Sequence, residues 1–97
     1  MADTSAYVDE LSGVYNRAYR EKWQRTAAAE LVLKRIPFSV VMVAIDHFKG
    51  INDAHGRLIG GEVIEAFGSY LQAELRKSDT IIRYGDDEFV CFTSNTH

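Results

Sequence analysis

The sequence predicts an α+β domain, an antiparallel-rich sheet flanked by helices, and three stretches carry that prediction. Residues 38–45 are a nearly unbroken apolar run rich in Val, as in a strand covered on both faces. Two longer stretches repeat apolar residues at helical spacing: Tyr15, Tyr19, Trp23, Ala27 and Leu31 in the first, Ile64, Phe67, Leu71 and Leu75 in the second. The C-terminal residues 80–93 read as a hairpin, with Thr80 to Tyr84 as one strand, Gly85-Asp86 as a two-residue turn, and Glu88 to Thr93 as the return strand.

In chain order, residues 5–12 suit a short lead-in helix ended by Gly13. A helix follows from Arg17 to Arg35, and its aromatic stripe is read as core-facing; stacking of bases on it is the lesser alternative. Pro37 separates helix from strand. After the strand ends at Asp46, residues 47–54 suit a short helix, His55-Gly56-Arg57 a polar loop, and the second long helix runs from after Gly60-Gly61 to about Lys77.

A chain of 97 residues is one domain, spanning 1–97, with no internal repeat. Its 46% apolar and 26% charged residues describe an ordinary globular chain. Net charge of −3 argues against a nucleic-acid partner, because such binding rests on clustered Lys and Arg. No apolar run approaches the ~20 residues needed to cross a bilayer, and the first residues lack a signal-peptide pattern, so a cytoplasmic location without membrane contact is expected. The single Cys91 excludes an internal disulfide and reads as a small core residue. His47 and His55 have no matching cluster and are not read as metal ligands.

Three consecutive carboxylates, Asp86, Asp87 and Glu88, crowd negative charge at the hairpin tip, which a turn by itself does not require. The run Arg83-Tyr84-Gly85-Asp86-Asp87-Glu88-Phe89 resembles the signature loop of the GGDEF family, the diguanylate cyclases that condense two GTP into cyclic di-GMP. Residues 9–17, Asp-Glu-Leu-Ser-Gly-Val-Tyr-Asn-Arg, are similar to the family's opening motif, and residues 45–53, Ile-Asp-His-Phe-Lys-Gly-Ile-Asn-Asp, to its D-x-D-x-F-K-x-x-N-D. Arg76-Lys77-Ser78-Asp79 sits where the family carries an R-x-x-D inhibitory site for its product. The resemblance implies a palm-like sheet, and members continue for about another sixty to seventy residues, so the chain reads as a partial, C-terminally short GGDEF-type fold. Should the chain end at His97, the strand at 38–45 lacks a neighbour on one side, and an open apolar edge invites self-association.

The same resemblance assigns candidate site residues. The family's metal ligands fall on Ala44 and Asp87, so the first is missing; Asp46 lies two residues on, roughly 6–7 Å away along a strand. Mg²⁺ is therefore implied only for an active enzyme, with Asp87 as its remaining ligand, and otherwise no cofactor is expected. Glu88 matches the general-base or metal-assisting carboxylate, Lys49 a phosphate contact and Asn52 a guanine contact, and Gly85 of the signature is a further substrate-binding position. The family's second guanine-reading residue, an Asp, is replaced by Gly61, and Asp86 replaces the second Gly of the signature, adding bulk and negative charge where phosphates would lie. Plainer readings exist for each: Asp87 and Glu88 as solvated turn residues, Arg76 and Lys77 offsetting a helix C-terminus, Asn16 and Arg17 fixing a helix start.

The favoured reading is thus a degenerate GGDEF domain of cyclic di-GMP signalling, vestigial at Asp87 and Glu88, that acts as an interaction or dimerisation module with a homo-oligomeric or protein partner. The alternatives are a cyclic di-GMP receptor using Arg76 and Asp79, and an active diguanylate cyclase binding GTP.

Overall fold

The computed structural model describes residues 4–94. A 3-10 turn, Thr4–Tyr7, leads into a loop. A continuous helical stretch follows, made of α1 (Tyr19–Trp23), a π-helical turn (Gln24–Ala28) and α2 (Ala29–Leu33). Then come β1 (Phe38–Ala44), α3 (Phe48–His55), α4 (Arg57–Glu74), β2 (Thr80–Arg83) and β3 (Glu88–Ser94). The α+β class and the antiparallel sheet are as expected.

The sheet has the order β1-β3-β2 with both pairings antiparallel. Alternation along β3 sends its side chains to opposite faces. Phe89 and Cys91, with Ile81 of β2, pack on Ile64 and Leu71 of α4, on Phe48 of α3 and on Val14, forming the core. Phe89 and Ile64 have no exposed surface. Burial pushes the Cys91 thiol up, and the Asp79 carboxylate adds to that effect, which fits an inert core cysteine.

Among the described residues, the opposite face is covered by the first helical stretch. Trp23 stacks on Phe92 with ring centroids 3.9 Å apart and meets Phe38 edge-on at 5.7 Å, so the stripe is core-facing where it reaches the sheet. Its phase slips after Trp23: Ala28, not Ala27, is the buried alanine. The π turn explains this, because it advances the buried position from i+4 to i+5.

Several expectations need correction. The lead-in helix at 5–12 is instead the 3-10 turn followed by a bridge of Val8 to Tyr15. Helix α4 begins at Arg57 rather than after Gly61, because the break falls at Gly56, whose φ of 87° suits only glycine comfortably. The expected two-residue turn at Gly85-Asp86 is longer: Tyr84 N–H and Gly85 N–H both donate to the Glu88 carbonyl at 2.8 and 3.3 Å, and Gly85 is not among the described glycines with positive φ. Strand β1 is not covered on both faces. It pairs with β3 on one side only among the described residues, and Val40, Val41 and Met42 are 54%, 46% and 59% exposed.

Packing this tight makes a stability prediction. Phe89→Ala should cost about 3–5 kcal/mol through lost burial and a residual cavity, while Leu33→Ala, at a position 84% exposed, should change stability by no more than about 0.5 kcal/mol. Urea unfolding midpoints with unchanged slopes are the measurement.

Candidate functional site

The hairpin tip is held by one side chain from β2. Arg83 donates through Nε and Nη2 to the Asp86 carbonyl at 3.2 and 2.7 Å, and through Nη1 to the Asp9 carboxylate at 3.2 and 3.3 Å. Asp9 is fixed in turn: its Oδ2 accepts from the Ser12 backbone N–H at 2.9 Å and from the Ser12 hydroxyl at 2.6 Å. Burial would raise the Asp9 carboxyl; the Ser12 hydrogen bonds and the Arg83 charge outweigh it and hold the group below its ordinary value. The neighbouring backbone continues the link, with Tyr15 N–H donating to Ile81 O and Arg83 N–H to Tyr15 O at 3.1 and 2.8 Å. The opening motif is thereby tied to the signature loop 74 residues later.

Tyr84 is gripped from the helix side. The Arg17 guanidinium lies 4.7 Å and that of Arg20 5.6 Å from its ring centroid, and Arg20 Nη1 donates to the Tyr84 hydroxyl at 3.2 Å. Arg17 thus serves the signature loop as well as the helix start. Asn16 does not cap α1 through its side chain: Ala18 holds that position, and Asn16 Nδ2 reaches back to the Ala6 carbonyl at 2.9 Å.

The other face of the tip is where chemistry is expected. Ile45 N–H donates to the Asp87 carbonyl at 3.0 Å, and the strand register sets Ala44 directly across from Glu88. Position 44 is therefore where a carboxylate would face the signature acids, and it carries a methyl group. Asp46 offers no replacement: it is 92% exposed and pairs with His47 Nε2 at 3.5 Å. Asp87 is half-buried, Asp86 and Glu88 are exposed, and Glu88 Oε1 folds over Gly85 to within 2.9 Å of where a Cβ there would stand.

Lys49 lies exposed on the first turn of α3, and Asn52 is half-buried further along it. Asn52 lies so close on Gly60 that a Cβ there would overlap its Oδ1, at 1.7 Å. The structure therefore brings Asn52 against Gly60, while a Cβ at Gly61 would meet Leu11 Cδ1 at 3.7 Å rather than Asn52.

The Arg76–Asp79 pair is also formed. Arg76 N–H donates to Asp79 Oδ2 at 3.0 Å, Asp79 N–H donates to Arg76 O at 2.9 Å, and Arg76 Nη2 stands 3.6 Å from Asp79 Oδ1. That Oδ1 is buried and accepts no hydrogen bond from the described residues. Both residues line a cavity of about 350 Å³ together with Gln72, Leu75 and Tyr15. A larger apolar groove of about 870 Å³ lies between the first helical stretch and the sheet. Asp87, Glu88, Asn52 and Lys49 line neither of these.

Sequence reasoning singled out the acids of the loop and missed Arg83, Asp9 and Arg20, whose contacts join separate segments. Their only signal was that Asp9 and Arg83 each fall inside a motif.

The family profile described as diguanylate cyclase, GGDEF domain, matches residues 6–97. The chain is 36% identical over 91 residues to the response regulator PleD of Caulobacter vibrioides, covering 94% of this chain and 20% of PleD. Diguanylate cyclase VdcA of Vibrio cholerae is 39% identical over 84 residues, covering 87% of this chain and 24% of VdcA. The chain thus spans less than a quarter of the length of these relatives. Among solved structures, the GGDEF domain of DgcB from Caulobacter crescentus, in complex with c-di-GMP, superposes with a TM-score of 0.87 at 28% identity, covering 100% of this chain and 55% of that one. Diguanylate cyclase SiaD of Pseudomonas aeruginosa, in complex with its activator SiaC, does so with a TM-score of 0.85 at 26% identity, covering 95% of this chain and 35% of SiaD.

The Asp9 clamp predicts an acid dependence. Because its folded-state value is lowered, the stabilisation it gives is fully present above its unfolded value, ~3.9, and is lost as pH falls through the folded one. Arg83→Met leaves Asp9 without its cation and should cost about 1–3 kcal/mol at neutral pH. Asp9→Asn should flatten the part of the acid-unfolding profile that this carboxyl supplies. Denaturant midpoints taken at successive pH values read both effects.

Proposed function

From a chain that belongs to the GGDEF family of diguanylate cyclases, we propose a non-catalytic module of cyclic di-GMP signalling, working in the cytoplasm by binding protein rather than by turning over GTP. The observation that carries this reading is Ala44 across from Glu88. Mg²⁺ at a triphosphate is held by hard oxygen donors, usually carboxylates from separate segments. Here the acids that remain, Asp87 and Glu88, come from a single hairpin, and the facing strand supplies a methyl. The donor set does not fit a metal-dependent phosphoryl-transfer site, and no step is routed through one.

Two further features support the reading. Gly61 offers no acceptor for a guanine edge beside Asn52, leaving ligand donors unpaired at a cost of about 1–3 kcal/mol. Asp86 places an exposed carboxylate on the loop that a triphosphate would approach, where like charges repel. Lys49, Asp87, Glu88 and Gly85 keep their places without the residues that would complete the site. Protein binding is supported by the likeness to SiaD, which was solved with a protein activator.

A second reading rests on a different observation, the buried Asp79 Oδ1 that accepts no hydrogen bond at a cavity shared with Arg76. An acceptor of that kind suits the N1 and N2 hydrogens of guanine, and Arg76 offers donors to phosphate or base. In that reading the module is a cyclic di-GMP receptor. The likeness to a GGDEF domain solved with c-di-GMP supports it.

Calorimetric titration separates these readings. GTP with Mg²⁺ should give no saturable heat, and micromolar GTP binding would count against a degenerate site. Saturable binding of cyclic di-GMP that disappears in Arg76→Ala would establish the receptor reading. The triple change Ala44→Asp, Gly61→Asp, Asp86→Gly should bring GTP binding back. Positions 44 and 86 are exposed, and a Cβ at residue 61 meets Leu11 Cδ1 only at an ordinary 3.7 Å.

A further inference from the structure

We infer that Gln72 is a further specificity-determining residue of the cavity beside Asp79, donating a hydrogen bond to the guanine base that the Asp79 carboxylate receives. The role rests on the receptor reading above and supplies it with a residue outside the Arg76–Asp79 motif.

The cavity joins two distant segments. Gly13 and Tyr15 of the opening segment line it together with Gln72 of α4 and, past the end of that helix, Arg76 and Asp79. Its volume of about 350 Å³ lies near the lower end of the ~300–1,000 Å³ usual for small-molecule pockets. That room suits one purine, with sugar and phosphates at its mouth.

Asp79 alone leaves a guanine half read. Its side chain is 3% exposed, Oδ2 accepts from the Arg76 N–H at 3.0 Å, and the buried Oδ1 accepts no hydrogen bond from the described residues. An ionised carboxylate only accepts. It therefore serves the N1 and N2 hydrogens of guanine and does nothing for O6 and N7, which need a donor. Acceptors left unpaired on burial oppose binding. The Arg76 guanidinium is 55% exposed, a place better suited to phosphate.

Gln72 brings the missing donor. Its carboxamide carries two N–H groups and an acceptor oxygen. Among the described residues it makes one long contact, Nε2 to the Ser12 carbonyl at 3.5 Å, which a shorter bond to a base replaces at little cost. Gly13 makes the space for it: with φ at 80° it turns the chain past the carboxamide, and a Cβ there would stand 3.1 Å from Gln72 Nε2. Ser12 is fixed to Asp9 by two hydrogen bonds, so the segment beside Gln72 is held in place. Adenine fails this reading twice. Its N1 offers a lone pair to the Asp79 carboxylate, and its amino group stands where guanine has O6.

The test is calorimetric titration of the full chain with cyclic di-GMP and, in parallel, cyclic di-AMP, using wild type, Gln72→Met and Arg76→Ala. Methionine keeps the length of the side chain without its donors. Gln72 is exposed, so Gln72→Met should keep the wild-type urea midpoint. Wild type should bind cyclic di-GMP saturably and in preference to cyclic di-AMP. Binding should weaken about fivefold in Gln72→Met and disappear in Arg76→Ala. In ¹⁵N-labelled chain the Gln72 side-chain amide signals, identified by their absence from Gln72→Met, should shift with cyclic di-GMP. Equal affinity of wild type and Gln72→Met, or amide signals that stay in place while the ligand binds, would overturn the role of Gln72 and leave the receptor reading standing. Cyclic di-AMP binding as tightly as cyclic di-GMP would overturn the guanine reading. No wild-type binding of cyclic di-GMP would overturn both the role and the receptor reading.

Discussion

Arg83 is the constraint on which the rest of the molecule depends. A guanidinium that is largely withdrawn from solvent must find acceptors for its donors, and Arg83 finds them in two places, the Asp9 carboxylate and the Asp86 carbonyl. One side chain therefore sets the shape of the signature loop and the path of the chain's first turn together. The Ser12 contacts to Asp9 and the backbone bonds around Tyr15 repeat the link in neighbouring groups, so the N-terminal segment behaves as an added edge of β2. Gly68 lets this segment press on α4, where a Cβ would come within 2.2 Å of the Ser12 carbonyl oxygen. These contacts hold the opening segment and the hairpin tip in one frame.

What the frame presents differs between its two sides. On the α3 and α4 side the core is closed around Phe89 and Ile64, and the loop is positioned with its acids toward the end of β1. There Ala44 stands across from Glu88, and position 61 carries no side chain. On the opposite face Trp23 and Phe92 form a stacked contact beside an open apolar groove. Val40 and Met42 line that groove and are 54% and 59% exposed.

Local and periodic features of this fold were legible from residues alone. The apolar run at 38–45, the α4 face bearing Ile64 and Leu71, and the return strand through Phe89 and Cys91 carry their structure in composition and spacing. Features that depend on contacts between distant segments were not. The π turn shifts burial from Ala27 to Ala28 without any residue that announces it, and the exposure of β1 follows from which strands lie beside it. Gly60 and Gly61 read as a helix break, yet both lie inside α4, and Asn52 and Leu11 lie against them. Motif positions nominated Asn52, Asp87, Glu88, Arg76 and Asp79 as candidates, whereas the contact of Arg83 with Asp9 emerges only from distances across 74 residues.

We propose that the family frame persists here without the chemistry. The most direct measurement is chromatographic detection of cyclic di-GMP after prolonged incubation of the purified chain with GTP and Mg²⁺, beside an active diguanylate cyclase as reference. No product above the protein-free control is the predicted result. Cyclic di-GMP accumulating in proportion to the amount of this chain would contradict the claim, and would mean that Asp87 and Glu88 suffice without a carboxylate at position 44.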